Sequence, residues 1–227
     1  MRTDLIRKTA LTVAGLACTG GAIAAPIAAA HAAPAAEKPA AQVQTDRKND
    51  RTADRKPAGE RELDVRYEAQ PNFYYCGPAA TRNALSVLGK NIDVDAMAKL
   101  MGTTEAGTDS INDITPVLNK ETRKDAYRSV EIRGARADDK QTDTLRADIV
   151  RTVGDGRALV ANIAGTATDT DGVTHSFEGG HYISVIGYRD GGDTVTIADS
   201  ADPDMASYRM SVEKLADWIA TRGYSTS

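Results

Sequence analysis

The spacing of apolar residues along the chain changes several times, and each change marks an element. Ala79, Ala80, Ala84, Leu85 and Leu88 recur at helical spacing, with Pro78 suited to a first helical turn and Gly89 to a stop. The pattern repeats through Ala96, Met97, Leu100 and Met101. Ser110 is placed to cap a third helix carrying Ile111, Ile114, Val117 and Leu118. Tyr127 to Ile132 alternates as a strand. Leu145, Ile149 and Val153 form a helical stripe within Thr142 to Val153, and Ala158 to Ile163 is a short apolar strand. Gly165 to Gly180 reads as a polar loop long enough to be functional or mobile, with His175 in solvent or lining a substrate cleft. His181 to Tyr188 and Thr194 to Asp199 then form a hairpin across the turn residues Arg189 to Asp193. Leu215, Trp218 and Ile219 mark a closing helix over Ser211 to Ala220, and the alternation at Leu63 to Tyr67 a short opening strand. Helices precede a meander of strands, so the expected class is α+β.

The front of the chain has no such period. Arg2, Arg7 and Lys8 precede an apolar run rich in Ala and Gly, and Ala30-His31-Ala32 suits a signal peptidase, so residues 1–32 read as a secretory signal peptide. Residues 33–62 hold almost nothing large and apolar and read as a disordered linker or pro-segment, with the folded domain over 63–227. Three of the 28 basic and one of the 32 acidic residues lie in the signal. The remainder has 25 against 31, a net charge of −6 that argues against nucleic acid or anionic lipid as partner. No other segment is long and apolar enough to span a membrane. The expected product is a secreted monomer, free or associated with the cell envelope.

Cysteine usage narrows the chemistry. Cys18 leaves with the signal, so the secreted chain has Cys76 alone, without an internal disulfide partner. Cys76 stands where an aromatic stretch, Phe73-Tyr74-Tyr75, turns into the first helix. Unpaired N–H groups and the positive end of the dipole favour an anion there, and a thiolate is one. With His31 also in the signal, His175 and His181 are the remaining histidines. If Tyr188 pairs with Thr194, Ile183 faces Asp199. His181 and Asp199 then share a face as diagonal neighbours, a register shifted by two would put them directly opposite, and in either case they lie within roughly 4.5–8 Å. A carboxylate so placed can orient an imidazole that draws the proton from sulfur.

The segments Gln70 to Ala79 (Q-x5-C-G-P-A), Gly179 to Tyr188 (G-G-H-Y-I-S-V-I-G-Y) and Thr196 to Ser200 (T-I-A-D-S) resemble the bacteriocin-processing, double-glycine-leader branch of the papain-like cysteine peptidases. The resemblance spans about residues 64–220 and implies a papain-like fold. It also implies Cys76 as nucleophile, His181 as general base, Asp199 as its orienting carboxylate and Gln70 as an oxyanion donor. Asp202, which precedes Pro203, is the alternative orienter. The implied reaction is hydrolysis of a peptide or protein substrate through a thioester. A transpeptidase or transglutaminase-like acyltransferase would keep the same thiol, whereas a catalytically silent domain binding peptide or cell-wall material would not use it. No H-E-x-x-H, paired-cysteine or phosphate-cradle pattern is present, so neither metal nor cofactor is expected.

Overall fold

The computed structural model describes residues 59–227; residues 1–32, read above as a signal peptide, and nearly all of 33–62, read as a linker or pro-segment, lie outside them. The elements run β1 (Arg61–Glu62), α1 (Cys76–Ser86), α2 (Val94–Met101), α3 (Ile111–Thr122), β2 (Arg128–Glu131), α4 (Asp139–Gly154), β3 (Leu159–Thr168), β4 (Thr174–Arg189), β5 (Thr194–Ala198), β6 (Ser207–Ser211), α5 (Val212–Ile219) and β7 (Gly223–Thr226). The strands form one antiparallel sheet in the order β2-β7-β3-β4-β5-β6, with β1 pairing beside the far end of β4. The fold is α+β and papain-like, as expected.

Strand alternation separates two apolar layers. Leu159, Ala161, Ile163, Ile183, Val185 and Ile197 point to one face, where α4 and α5 contribute Leu145, Ile149, Val153, Leu215, Trp218 and Ile219. Val160, Tyr182, Ile186 and Ala198 point to the other, against Ala80, Ala84, Leu85, Met97, Ile114 and Leu118 of the first three helices. Helix α1 is buried on all sides over Cys76–Leu85, so even its polar residues need partners. Arg82 pairs with Glu68 and donates to Ile92 O at 2.7 Å, and Asn83 exchanges two hydrogen bonds with the Glu68 backbone. Ser184 Oγ of β4 donates to Ala80 O at 2.7 Å, tying the helix to the strand that carries His181.

Several elements differ from the sequence reading. Residues 165–180 are not a loop: β3 and β4 continue through them as a hairpin, turning over Asp169 to Val173. Their polar composition reflects a ribbon exposed on one side, not irregular backbone. Opening order comes from β1, which lies within the stretch assigned to the linker, while Leu63 to Tyr67 lacks strand pairing beyond Leu63 N–H to Ile186 O at 2.9 Å. Helix α1 stops at Ser86, leaving Leu88 outside it and 38% exposed. Strands β6 and β7 add three pairings that the periodicity reading did not include, β6 with β5 and β7 with both β2 and β3.

Candidate active site

Cys76 is the first residue of α1 and 8% exposed. Helices α2, α3, α4 and α5 are each capped by a side chain, of Asp93, Ser110, Asp138 and Ser211. Helix α1 begins after Tyr75 without one, so its first N–H groups remain available to an anion. The next residue must be small. A Cβ on Gly77 would lie 2.5 Å from Thr108 Oγ1 and 2.9 Å from Thr108 Cβ. Thr108 is held by a 2.7 Å bond to Thr103 Oγ1, and its carbonyl accepts from the Tyr182 hydroxyl at 3.1 Å. The Gly in the cysteine motif therefore sets how closely α1 approaches the wall of the cleft.

His181 sits near the middle of β4 and is 3% exposed. Its Nε2–H donates to Asp199 Oδ1 at 2.7 Å, which leaves Nδ1 for the Cys76 thiol. Phe177 stacks on the imidazole, centroids 4.0 Å apart and planes at 17°. Burial opposes a charge on His181. Hydrogen bonds to Asp199 and Cys76, with the negative charge of both, outweigh it and raise the pKa from 6.5 to about 9. Burial would likewise push the Asp199 carboxyl up, but His181, the Ala201 N–H and the Tyr208 hydroxyl hold it below its ordinary value.

The hairpin register explains this contact. Near the turn the pairs are Tyr188 with Val195 and Gly187 with Thr196, one residue off the expected ladder. An irregularity between Val185 and Gly187 absorbs that residue, and Val185 pairs with Ile197 and Ser184 with Ala198, as expected. Asp199, one residue past β5, thereby reaches His181. Asp202 caps the short turn Pro203–Met205 by accepting from Asp204 N–H, so Asp199 is the carboxylate that meets the imidazole. Gln70 is anchored beside it. Its backbone N–H donates to Ser200 O at 2.9 Å, its Oε1 accepts from Ser200 Oγ at 3.1 Å, and one Nε2 hydrogen goes to Asn72 O at 2.9 Å. The second Nε2 hydrogen remains to be used.

His175 is buried, not solvated. Its Nε2 meets Asp169 Oδ2 at 3.0 Å, and its ring stacks on Tyr208 with centroids 3.9 Å apart. Asp169 also accepts from the Asp171 and Val173 N–H groups, both at 2.9 Å. The Tyr208 hydroxyl donates to Asp199 Oδ2 at 2.9 Å. Two histidine–carboxylate pairs are thus joined through one phenol. The sequence reading missed Tyr208, although the alternation of Tyr208 and Met210 was a signal for its strand.

The thiol opens on a cavity of about 320 Å³ lined by Phe73, Tyr74, Gly107, Thr108, Gly180 and Arg222, among others. Phe73, 80% exposed, forms an apolar rim. Among the described residues no three His, Cys, Asp or Glu side chains are grouped to hold a metal ion, and no helix is long and apolar enough to cross a membrane.

The fold is similar to that of a protein from Bacillus anthracis described as C39-like peptidase, at a TM-score of 0.52 and 14% identity, covering 75% of this chain and 98% of that one. Two further structures align less well. The peptidase domain of Streptococcus ComA, a bi-functional ABC transporter, gives 0.45 at 16% identity over 72% and 96% of the two chains. A double glycine motif protease from an AMS/PCAT transporter gives 0.44 at 12% over 73% and 91%. Among curated proteins there is no significant sequence match. The profile of the Peptidase_C39 like family matches residues 62–226, nearly the whole described region, and the chain belongs to that family of peptidases.

Proposed function

We propose that the protein is a secreted cysteine peptidase that hydrolyses amide bonds of peptides or proteins through Cys76, His181 and Asp199. One observation carries this reading: His181 donates to the buried Asp199 at 2.7 Å from the strand that packs against the helix beginning at Cys76. With Nε2–H committed to the carboxylate, Nδ1 takes the thiol proton and the imidazolium sits beside the thiolate.

The thiolate attacks the scissile carbonyl carbon, and the C=O pair moves to oxygen. The Cys76 N–H and the unused Nε2 hydrogen of Gln70 stabilise that oxyanion. Collapse breaks the C–N bond as the His181 imidazolium gives its proton to the leaving amine. Water, deprotonated by the now neutral His181, attacks the thioester, and the tetrahedral species expels the thiolate and releases the carboxylate. Asp199 holds the ring in one tautomer throughout and balances its charge. Secretion rests on the signal-like residues 1–32, and a mature N-terminus at Ala33 is its expected mark.

The test is turnover of a fluorogenic peptide library by the purified protein, by Cys76→Ala and by His181→Ala, beside iodoacetamide alkylation of Cys76. Cleavage lost in both variants, with alkylation of the wild type slowed by His181→Ala, supports the reading. An unreactive thiol and no cleavage would leave a binding domain of the same fold.

A further inference from the structure

Arg222 is a cation placed in the cleft without an ion-pair partner among the described residues. Most other arginines near the sheet are committed: Arg82, Arg128, Arg146 and Arg151 all form ion pairs. Arg222 makes no ion pair and no side-chain hydrogen bond among the described residues. Its backbone is nonetheless fixed on both sides, N–H to Ile219 O at 2.9 Å and O from Ile132 N–H at 3.0 Å. The guanidinium lies over Gly180, the residue before His181. A Cβ there would sit 3.3 Å from Arg222 Nη2, and the backbone has φ +97°, which glycine adopts without strain. Residue 180 thus leaves room for the guanidinium beside the imidazole strand.

Arg222 also lies where two cavities meet. The thiol cavity of about 320 Å³ and a neighbouring one of about 610 Å³ share Asp109, Asn162 and Arg222. The larger continues past Ile111 and Ile132 to Gly134. Cys76 and Arg222 line the same cavity, so a ligand group held at the thiol has the junction within the same cleft. Other charges there give the junction a polarity. Glu105 lines the thiol cavity and Asp109 lines both cavities, and neither forms an ion pair with Arg222 among the described residues. The adjacent Tyr182 phenol is pushed up by burial and by the charges of Cys76, Asp113 and Asp109, and Arg222 counters them.

We propose that Arg222 anchors a carboxylate subsite next to Cys76, taking either an acidic side chain or the C-terminal carboxylate of a peptide. The proposal rests on the peptidase reading for the identity of the ligand as a peptide. A planar guanidinium with free donors binds carboxylate in bidentate fashion. The carboxylates of Glu105 and Asp109 in the same cleft repel further negative charge, so the subsite accepts one acid and not a run of them.

Binding to the Cys76→Ala protein tests this without turnover. The probes are dye-labelled tetrapeptides of Gly and Ala with amidated C-termini, in which a single Glu or Gln is moved through the positions. The unsubstituted tetrapeptide with a free carboxylate completes the set. By fluorescence anisotropy one Glu position, or the free carboxylate, is expected to bind about tenfold tighter than its neutral counterpart. The two arms distinguish side chain from terminus. Arg222→Met abolishes the difference, Arg222→Lys keeps part of it, and Arg222→Glu transfers the preference to Lys-containing peptides. Equal binding of Glu and Gln probes at every position, or a preference that survives Arg222→Met, overturns the subsite. Lack of cleavage by the wild-type protein would instead count against the peptidase reading alone.

Discussion

The Tyr208 hydroxyl donates to the oxygen of Asp199 that His181 does not use, at 2.9 Å. Both oxygens of this buried carboxylate are thereby satisfied, Oδ1 by His181 and the Ala201 N–H and Oδ2 by the phenol. Tyr208→Phe keeps the ring stacked on His175 but leaves Oδ2 unpaired. Losing a hydrogen bond to a charged group costs about 1.5–3 kcal/mol. If half or more of that falls on the transition state, kcat drops roughly tenfold with little change in KM. Asp199 would also become easier to protonate, so the acid limb of the kcat/KM profile moves to higher pH. Steady-state kinetics across pH 4–8 checks both.

At the alkaline end His181 sets the limit. Its folded pKa, about 9, lies above the ordinary 6.5. The stability it contributes is therefore complete below 6.5 and fades as pH rises through about 9. His181→Ala should be less stable than wild type at pH 6 and approach it in melting temperature by pH 10. kcat/KM should fall along the same alkaline limb as the imidazolium is lost. Asp199→Asn removes the charge that raises this pKa, so its limb appears at lower pH.

Gln70 separates oxyanion binding from thiol activation. Removing one oxyanion donor typically costs about 10²–10³ in kcat. Gln70→Ala should show such a loss while iodoacetamide alkylates Cys76 at the wild-type rate, because alkylation develops no oxyanion. A parallel fall in alkylation would mean that Gln70 acts by positioning Cys76 instead.

Gly77→Ala should cost roughly 1–3 kcal/mol of stability through overpacking against Thr108. It should reduce turnover as well, because the helix that starts at Cys76 must shift. Thr108→Ala in the same chain removes the nearest contact, at Oγ1, and should restore part of both. Denaturant melts and kinetics on the two single variants and the double variant measure the coupling.

His175→Ala leaves Asp169 buried without its imidazole. Losing a hydrogen bond to a charged group costs about 1.5–3 kcal/mol, which for a domain of this size lowers the melting temperature by roughly 3–12 °C. If the pair were only structural, kcat measured well below the melting temperature would be unchanged. Loss of the stack that steadies Tyr208 should lower it, and calorimetry with kinetics at 20 °C separates the two effects.

Local patterns determined much of this protein. The stripes of Ile111, Ile114 and Leu118 and of Leu145, Ile149 and Val153 specify their helices because side chains three and four apart share a face. Alternation in His181 to Tyr188 and Thr194 to Asp199 specifies a hairpin whose register puts a histidine near a carboxylate. The start of α1 at Cys76 was equally legible from Gly77-Pro78 and the apolar run behind it.

Tertiary structure decided what depends on partners far along the chain. Strand β7 is invisible to hydropathy because Ser225 and Thr226 are polar. They are buried only because Thr115 and Thr152 bond to them, at 2.8 and 2.7 Å. His175 sits in a polar sequence and is buried because Asp169 and Tyr208 converge on it from a turn and another strand. Asp202 was set aside by a local partner, because its carboxylate accepts from Asp204 N–H at the start of the turn Pro203–Met205 while Asp199 meets His181. The approach of the start of α1 to the strand of His181 came from packing α1 against β4, where Ser184 bonds to Ala80 O. No spacing within either segment contains that contact, because the burial of both faces against each other creates it.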